Sequence, residues 1–116
     1  MATARHFEDL RVRQEARTLV SEVYCRAKQA MFRRDFNLRD QMTRPSTATM
    51  SNVAEEFERG TKKESIQFLK IAKASNGQVR PRLYVALDQG YLDRRAFDEL
   101  QKSSSSLSRR LAAFIH

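Results

Sequence analysis

Ser51-Asn52-Val53-Ala54-Glu55-Glu56-Phe57-Glu58-Arg59, followed at once by Gly60-Thr61-Lys62-Lys63-Glu64, reads as the end of one helix, a tight turn and the start of the next. Val53 and Phe57 lie one turn apart and face the same way. Gly60 suits the left-handed position just past a helix end, where a Cβ would clash. Thr61 and Glu64 have the spacing of a capping box, in which each side chain satisfies a free amide of the first turn. The stretch is therefore a helix hairpin, and the chain on either side should supply its partners.

With 116 residues the chain forms one domain, 1–116, long enough to bury a core without disulfides or metal. Three glycines and two prolines are too few for a sheet protein of this size, which needs more turns. An apolar content of 41% with 31% charged residues suits a soluble helical protein. No apolar run approaches the length of a membrane span, and Met1 to Phe7 lacks the apolar block of a secretory signal. Cys25 is the lone cysteine and is expected in the core of a protein kept in a reducing compartment, by default the cytoplasm.

Going outward from the hairpin, each segment carries one apolar face. The first helix is expected from about Phe7 to about Phe32, with Val12, Ala16, Leu19, Val20, Val23, Tyr24, Ala27 and Met31 at steps of three and four. The second is expected from about Asn37 to Arg59, with Leu38, Met42, Pro45, Thr49, Val53 and Phe57 on one side. Pro45 removes an amide donor and crowds the carbonyl of Gln41, at roughly 3 kcal/mol in a helix interior. Hydroxyls crowd the run from Thr43 to Asn52 and compete for backbone bonds. One kinked helix and two shorter ones are both open; the apolar spacing stays in phase across Pro45 and favours the first.

The third helix is expected from about Lys62 to Gln89, with Ile66, Leu69, Ala72, Asn76, Val79, Leu83 and Leu87 as its core line. Gly77 and Pro81, four residues apart, mark an expected bend. Phe68, Ile71 and Ala86 widen the apolar line beyond what one partner helix needs. Phe68 and Ile71 are accordingly expected at a subunit interface, since such residues left in water are a liability. Gly90-Tyr91-Leu92-Asp93 closes this helix and opens the last, which carries Phe97, Leu100, Ser104, Leu107, Leu111 and Phe114. The phase continues through Ser103-Ser104-Ser105-Ser106, so helix is preferred there over linker. Four long helices joined by short turns give an all-α, antiparallel up-down-up-down four-helix bundle.

Four motifs add a resemblance. Phe7-Glu8-Asp9-Leu10-Arg11-Val12-Arg13-Gln14-Glu15-Ala16, Ser51-Asn52-Val53-Ala54-Glu55-Glu56-Phe57, Lys63-Glu64-Ser65-Ile66-Gln67-Phe68-Leu69-Lys70-Ile71-Ala72 and Gly90-Tyr91-Leu92 resemble, in order, the motifs of small bundle proteins encoded in intervening sequences of bacterial 23S ribosomal RNA genes. The resemblance spans nearly the whole chain. It implies the same bundle and assembly into ring-shaped pentamers, and it brings no catalytic residues with it; no cofactor is expected. It also implies a likeness in fold to basic accessory proteins of diversity-generating retroelements, which bind nucleic acid and a nucleic-acid enzyme, a reverse transcriptase. The chain departs from the family pattern at Arg13, Met50, Glu56 and Asn76.

Catalytic and metal chemistry find little support in the residues. His6 and His116 sit at opposite ends, Cys25 has no base near it in the helical scheme, and no histidine pairs with a carboxylate at ligand spacing. Glu55, Glu56 and Glu58 read as a solvated face, because neighbours in a helix point about 100° apart. Asn52 and Asn76 fall in or beside core lines and are expected to serve packing, without pairing to each other.

The net charge of +8 points toward a polyanion such as RNA or DNA. It is spread evenly: residues 1–44 and residues 45–116 each contribute +4. Three acid-free segments stand out. One holds Arg26, Lys28, Arg33 and Arg34; another holds Arg109 and Arg110. The third, and the best signal, is on the third helix, where Lys63, Lys70, Lys73 and Arg80 fall within about 100° of one another. Two functions follow: a non-enzymatic oligomer that binds RNA or DNA through phosphates, or a structural and protein-interaction module whose charge serves solubility.

Overall fold

Apolar side chains at steps of three and four become four buried stripes, and each stripe fixes a helix. The computed structural model describes residues 3–58 and 61–116. Helix α1 spans Thr3–Ala27, a 3-10 segment spans Ala30–Arg34, and α2, α3 and α4 span Phe36–Glu58, Lys62–Asp88 and Arg94–Ile115. The expectations for Gly60 and for the side chain of Phe57 fall outside the described residues.

Sequence neighbours pack side by side, and α4 closes onto α1. Residue pairs across the seams run in opposite directions. Ser65 meets Glu56 near one end of α2–α3, while Asn76 meets Ser104 and Tyr84 meets Phe97 along α3–α4. Ser106 meets Glu15 and Ser103 meets Glu22 along α1–α4. The antiparallel bundle measures 48 × 23 × 19 Å. Its core is built from Val12, Ala16, Leu19, Val23 and Ala27 of α1, Leu38, Met42 and Val53 of α2, Leu69, Ala72, Val79 and Leu83 of α3, and Phe97, Leu100, Leu107 and Leu111 of α4. Among the described residues no helix is long and apolar enough to cross a membrane.

Pro45 does not break α2, so the single-helix reading holds. The hydroxyls around it bond back to their own helix. Thr43 Oγ1 donates to the Arg39 carbonyl at 2.8 Å, Ser46 Oγ to Thr43 at 3.0 Å, and Thr49 Oγ1 to Pro45 at 2.7 Å. Ser46 and Thr49 can therefore be buried without orphaned polar groups. Asn52 likewise donates to the Ala48 carbonyl.

Thr61 caps α3 as expected, and Asp93 and Gly90 supply the chemistry of the α3–α4 turn. Thr61 Oγ1 accepts from the Glu64 amide at 3.2 Å, and Asp93 Oδ1 accepts from the Ala96 amide at 2.8 Å. Gly90 ends α3 at φ 77°, with the Tyr91 amide on the Ala86 carbonyl and the Gly90 amide on Leu87. That is the Schellman pattern, which needs a residue able to turn left-handed. Both α3 and α4 are unbroken, through Gly77 and Pro81 in the first and through Ser103–Ser106 in the second.

Three expectations are corrected. First, α1 stops at Ala27, short of Phe32. Five more helical residues would carry Phe32 about 140° off the buried line at roughly 100° per residue; the chain turns instead and Phe32 enters the core, 1% exposed. Second, Cys25, Tyr24 and Met31 lie exposed. Cys25 is two residues from both Val23 and Ala27, hence on the face opposite them. Third, Glu56 is buried and accepts from Ser65 Oγ at 2.7 Å. Three residues beyond Val53, it returns to the inner side of α2 and ties the ends of the hairpin together.

Asn76 sits in the core with 0% exposure. Its Nδ2 donates to the Ser104 carbonyl at 2.8 Å, and Ser104 Oγ donates back to Asn76 Oδ1 at 2.8 Å. The reciprocal pair locks the register of α3 on α4. Asn76→Ala should cost about 2–4 kcal/mol, because it strands buried polar groups. Ser104→Ala should cost less, and the double variant less than the sum of both in denaturant unfolding. Strict additivity would show that the two residues are not coupled.

Candidate nucleic-acid interface

The connection between α1 and α2 gathers a cluster of cations, with Arg26, Lys28, Arg33, Arg34 and Arg39 all within residues 26–39. Ala30 takes a left-handed backbone, φ 40°, to start the 3-10 segment. Such a conformation costs an L-residue roughly 1–2 kcal/mol. Burial of Phe32, worth roughly 1.5–3 kcal/mol, offsets it. The Phe32 ring stacks on Tyr91 at 5.1 Å and 18° between planes, so the corner is fastened to the α3–α4 turn.

Asp35 completes the fastening. Its Oδ1 accepts from the Leu38 amide at 3.1 Å, capping α2, and its Oδ2 accepts from the Tyr91 hydroxyl at 3.0 Å. The bond to Asp35, with smaller contributions from burial and the carboxylate charge, raises the Tyr91 pKa above its ordinary value. Asp35 is the one acid between Glu22 and Asp40. Both of its oxygens are thus committed inside the corner, beside cations they do not bind.

Lys28, Arg33 and Arg34 are exposed, and Arg26 and Arg39 are half-buried. Arg39 Nη1 donates to the Arg33 carbonyl at 2.8 Å, and its guanidinium carbon stands 5.4 Å from the Phe36 ring centre. Phe36 is 74% exposed and Tyr24 41%. Between these rings, with Ala27, Lys28, Arg39, Asp40 and Thr43, runs a groove of about 340 Å³. The corner can neutralise phosphates and offers two aromatic faces beside them.

The four cations expected in this segment, Arg26, Lys28, Arg33 and Arg34, therefore share one corner, although Arg26 lies on the flank toward Glu22. The third-helix residues form a separate stripe. Lys63 and Lys70 are exposed and Lys73 and Arg80 half-buried, on the side where Gln101 of α4 donates to the Arg80 carbonyl at 3.1 Å. Lys63 is beside the α2–α3 turn, at the opposite end of the bundle from the corner. Arg109 is exposed, whereas Arg110 is half-buried and paired with Glu15 and, at 3.6 Å, with Glu8. The positive charge of Arg110 is met within the chain.

Reading the sequence missed Tyr24, Phe36 and Arg39. Arg39 did carry a signal: a cation in the opening turns of a helix opposes the macrodipole and calls for another reason to be there.

The α1–α4 seam is chemically different. A groove of about 660 Å³ is lined by Glu15, Glu22, Glu99, Arg11, Lys102, Ser103 and Ser106, a mixed set that does not favour a polyanion. Burial, with the nearby charge of Glu99, raises the Glu22 pKa despite the Ser103 hydrogen bond at 3.3 Å and Arg26. A carboxyl with a raised folded-state pKa holds its proton longer when folded, so it lowers stability as pH rises through that window. Glu22→Gln should therefore raise Tm at pH 7 and leave it nearly unchanged at a pH below the ordinary carboxyl range, as read by thermal melts. An equal shift at both pH values would contradict this.

Comparison with known proteins fits this architecture. A family model described as 23S rRNA-intervening sequence protein matches residues 8–113. A crystal structure of a protein of unknown function, from the S23 ribosomal protein family of Bacteroides thetaiotaomicron, has 16% identity and a TM-score of 0.85. The match covers 93% of this chain and 97% of that one. At that identity the likeness is one of fold. Among curated proteins there is no match.

Proposed function

We propose, for a chain that belongs to the 23S rRNA-intervening sequence protein family, that it is a non-enzymatic protein which binds RNA or a similar nucleic acid through phosphates at the α1–α2 corner. The observation that carries this reading is the cluster of Lys28, Arg33, Arg34 and Arg39 around an Asp35 whose carboxylate is already engaged. Each phosphate neutralised releases counterions, so binding should weaken linearly in log[salt], with a slope of about 0.7–0.9 per phosphate. Arg33→Glu with Arg34→Glu should weaken binding of a labelled RNA hairpin in an anisotropy titration and reduce the slope by about 1.4–1.8. Lys63→Glu with Lys70→Glu should have a smaller effect. If the unaltered protein shows no binding even at low salt, the structural and protein-interaction reading replaces this one.

Self-association is a second element of the proposal. Ile71 is 43% exposed and Phe68 half-buried beside it on α3, the pair expected at a subunit interface. Family resemblance implies a ring of five, and a ring would repeat the corner and raise avidity for a polyanion. The same resemblance extends to a protein partner that itself acts on nucleic acid. Phe68→Glu with Ile71→Glu should give a smaller species in sedimentation while helical circular dichroism persists. An unchanged mass would refute this interface.

A further inference from the structure

The α1–α2 groove has features that phosphate binding alone does not call for. Phe36 is 74% exposed at the first position of α2, where a polar residue would serve the helix equally well. The Arg39 guanidinium carbon stands over one face of that ring, 5.4 Å from its centre, so a base would stack on the other face. Tyr24 offers a second aromatic face from α1. A volume of about 340 Å³ lies at the lower end of the roughly 300–1,000 Å³ found for small-ligand clefts, the scale of a single nucleotide.

Asp40 is the informative residue. A carboxylate beside a phosphate-binding cluster weakens attraction for the backbone, yet Asp40 lines this groove together with Thr43. Its contact to Arg44, 3.7 Å between two exposed side chains, is a weak surface pair. Thr43 donates its hydroxyl proton to the Arg39 carbonyl, which leaves the oxygen free to accept. The polar lining on that side therefore presents acceptors. Guanine alone among the common bases offers two adjacent donors, N1–H and the N2 amino group, on its Watson–Crick edge.

We infer that this groove receives one unpaired nucleotide, its base stacked on Phe36 or Tyr24, its phosphate toward Lys28, and guanine preferred through Asp40. The inference rests on the nucleic-acid reading above and narrows its ligand to looped-out or single-stranded nucleotides. Paired bases expose neither a face for stacking nor their Watson–Crick edge, and the deep major groove of A-form RNA does not admit side chains. Sequence-tolerant stacking would supply most of the affinity. Asp40 would supply the choice of base.

Anisotropy titrations of the full-length protein, at one fixed salt concentration, compare an RNA hairpin bearing guanine in its loop with a fully paired duplex of equal charge. The hairpin is expected to bind at least tenfold more tightly. At least one of Phe36→Ala and Tyr24→Ala, whichever removes the stacking face, should weaken hairpin binding by about 5- to 150-fold, the range of one lost base stack, and leave duplex binding unchanged. Both side chains are exposed, so the variants should fold, which circular dichroism checks. Asp40→Asn should remove the preference for guanine over adenine, uracil and cytosine loops. Equal, salt-sensitive binding of hairpin and duplex would overturn the groove and leave the phosphate reading standing; no binding to either would overturn both. Loop preference that survives Phe36→Ala and Tyr24→Ala would also overturn the groove, as would a Phe36→Ala variant that dissociates in sedimentation but binds RNA normally.

Discussion

A carboxylate has two oxygens, and at the α1–α2 corner Asp35 uses both within the chain. One caps α2 through the Leu38 amide and the other holds the Tyr91 hydroxyl. The consequence is mechanical and electrostatic together. Mechanically, the Tyr91 ring is kept over Phe32, so a 3-10 segment entered through a left-handed alanine stays in one shape. Electrostatically, Asp35 keeps its charge while accepting these two bonds from neutral donors. Residues 26–39 hold Arg26, Lys28, Arg33, Arg34 and Arg39 against this one acid, so the corner keeps a net positive charge for an outside anion.

The rest of the bundle shows how differently three seams of one helical protein can be made. The α3–α4 seam carries a buried, mutually bonded Asn76 and Ser104 within an apolar layer, so it specifies register as well as affinity. The α2–α3 hairpin is closed near its turn by Glu56 and Ser65. The α1–α4 seam relies on carboxylates, serines and Arg110 around an open groove. Charged pairs that are partly solvated contribute little each, so this seam depends on the apolar steps beneath it. It is where pH should be felt first, through Glu22.

The parts of this molecule governed by local chemistry were legible from its residues. Helix number, order and type followed from apolar periodicity, the cap at Thr61 followed from residue type, and Gly90-Tyr91-Leu92-Asp93 marked the boundary between the last two helices. Pro45 was also readable, because the spacing of Met42, Thr49 and Val53 stays in phase across it. What could not be read was decided by contacts remote in sequence. Phe32 leaves the helical path because Tyr91, far along the chain, offers it a partner. Glu56 is buried because Ser65 faces it. The cation cluster was half legible: Lys28, Arg33 and Arg34 stood out as an acid-free segment, yet Arg39 and Phe36 join them only once the chain turns back. Lys63 and Arg80 share a helical face on paper but lie far apart along a long bundle, which lessens the case for the third helix.

The central claim is that nucleic acid meets this protein at the α1–α2 corner. Hydrogen-exchange mass spectrometry of the full chain, with and without a hairpin RNA at saturating concentration, tests that claim directly. Added protection should concentrate in peptides covering residues 24–43, where slowing of exchange would report both phosphate contact and a stiffened 3-10 segment. Protection centred instead on residues 62–80, with residues 24–43 unchanged, would contradict the account.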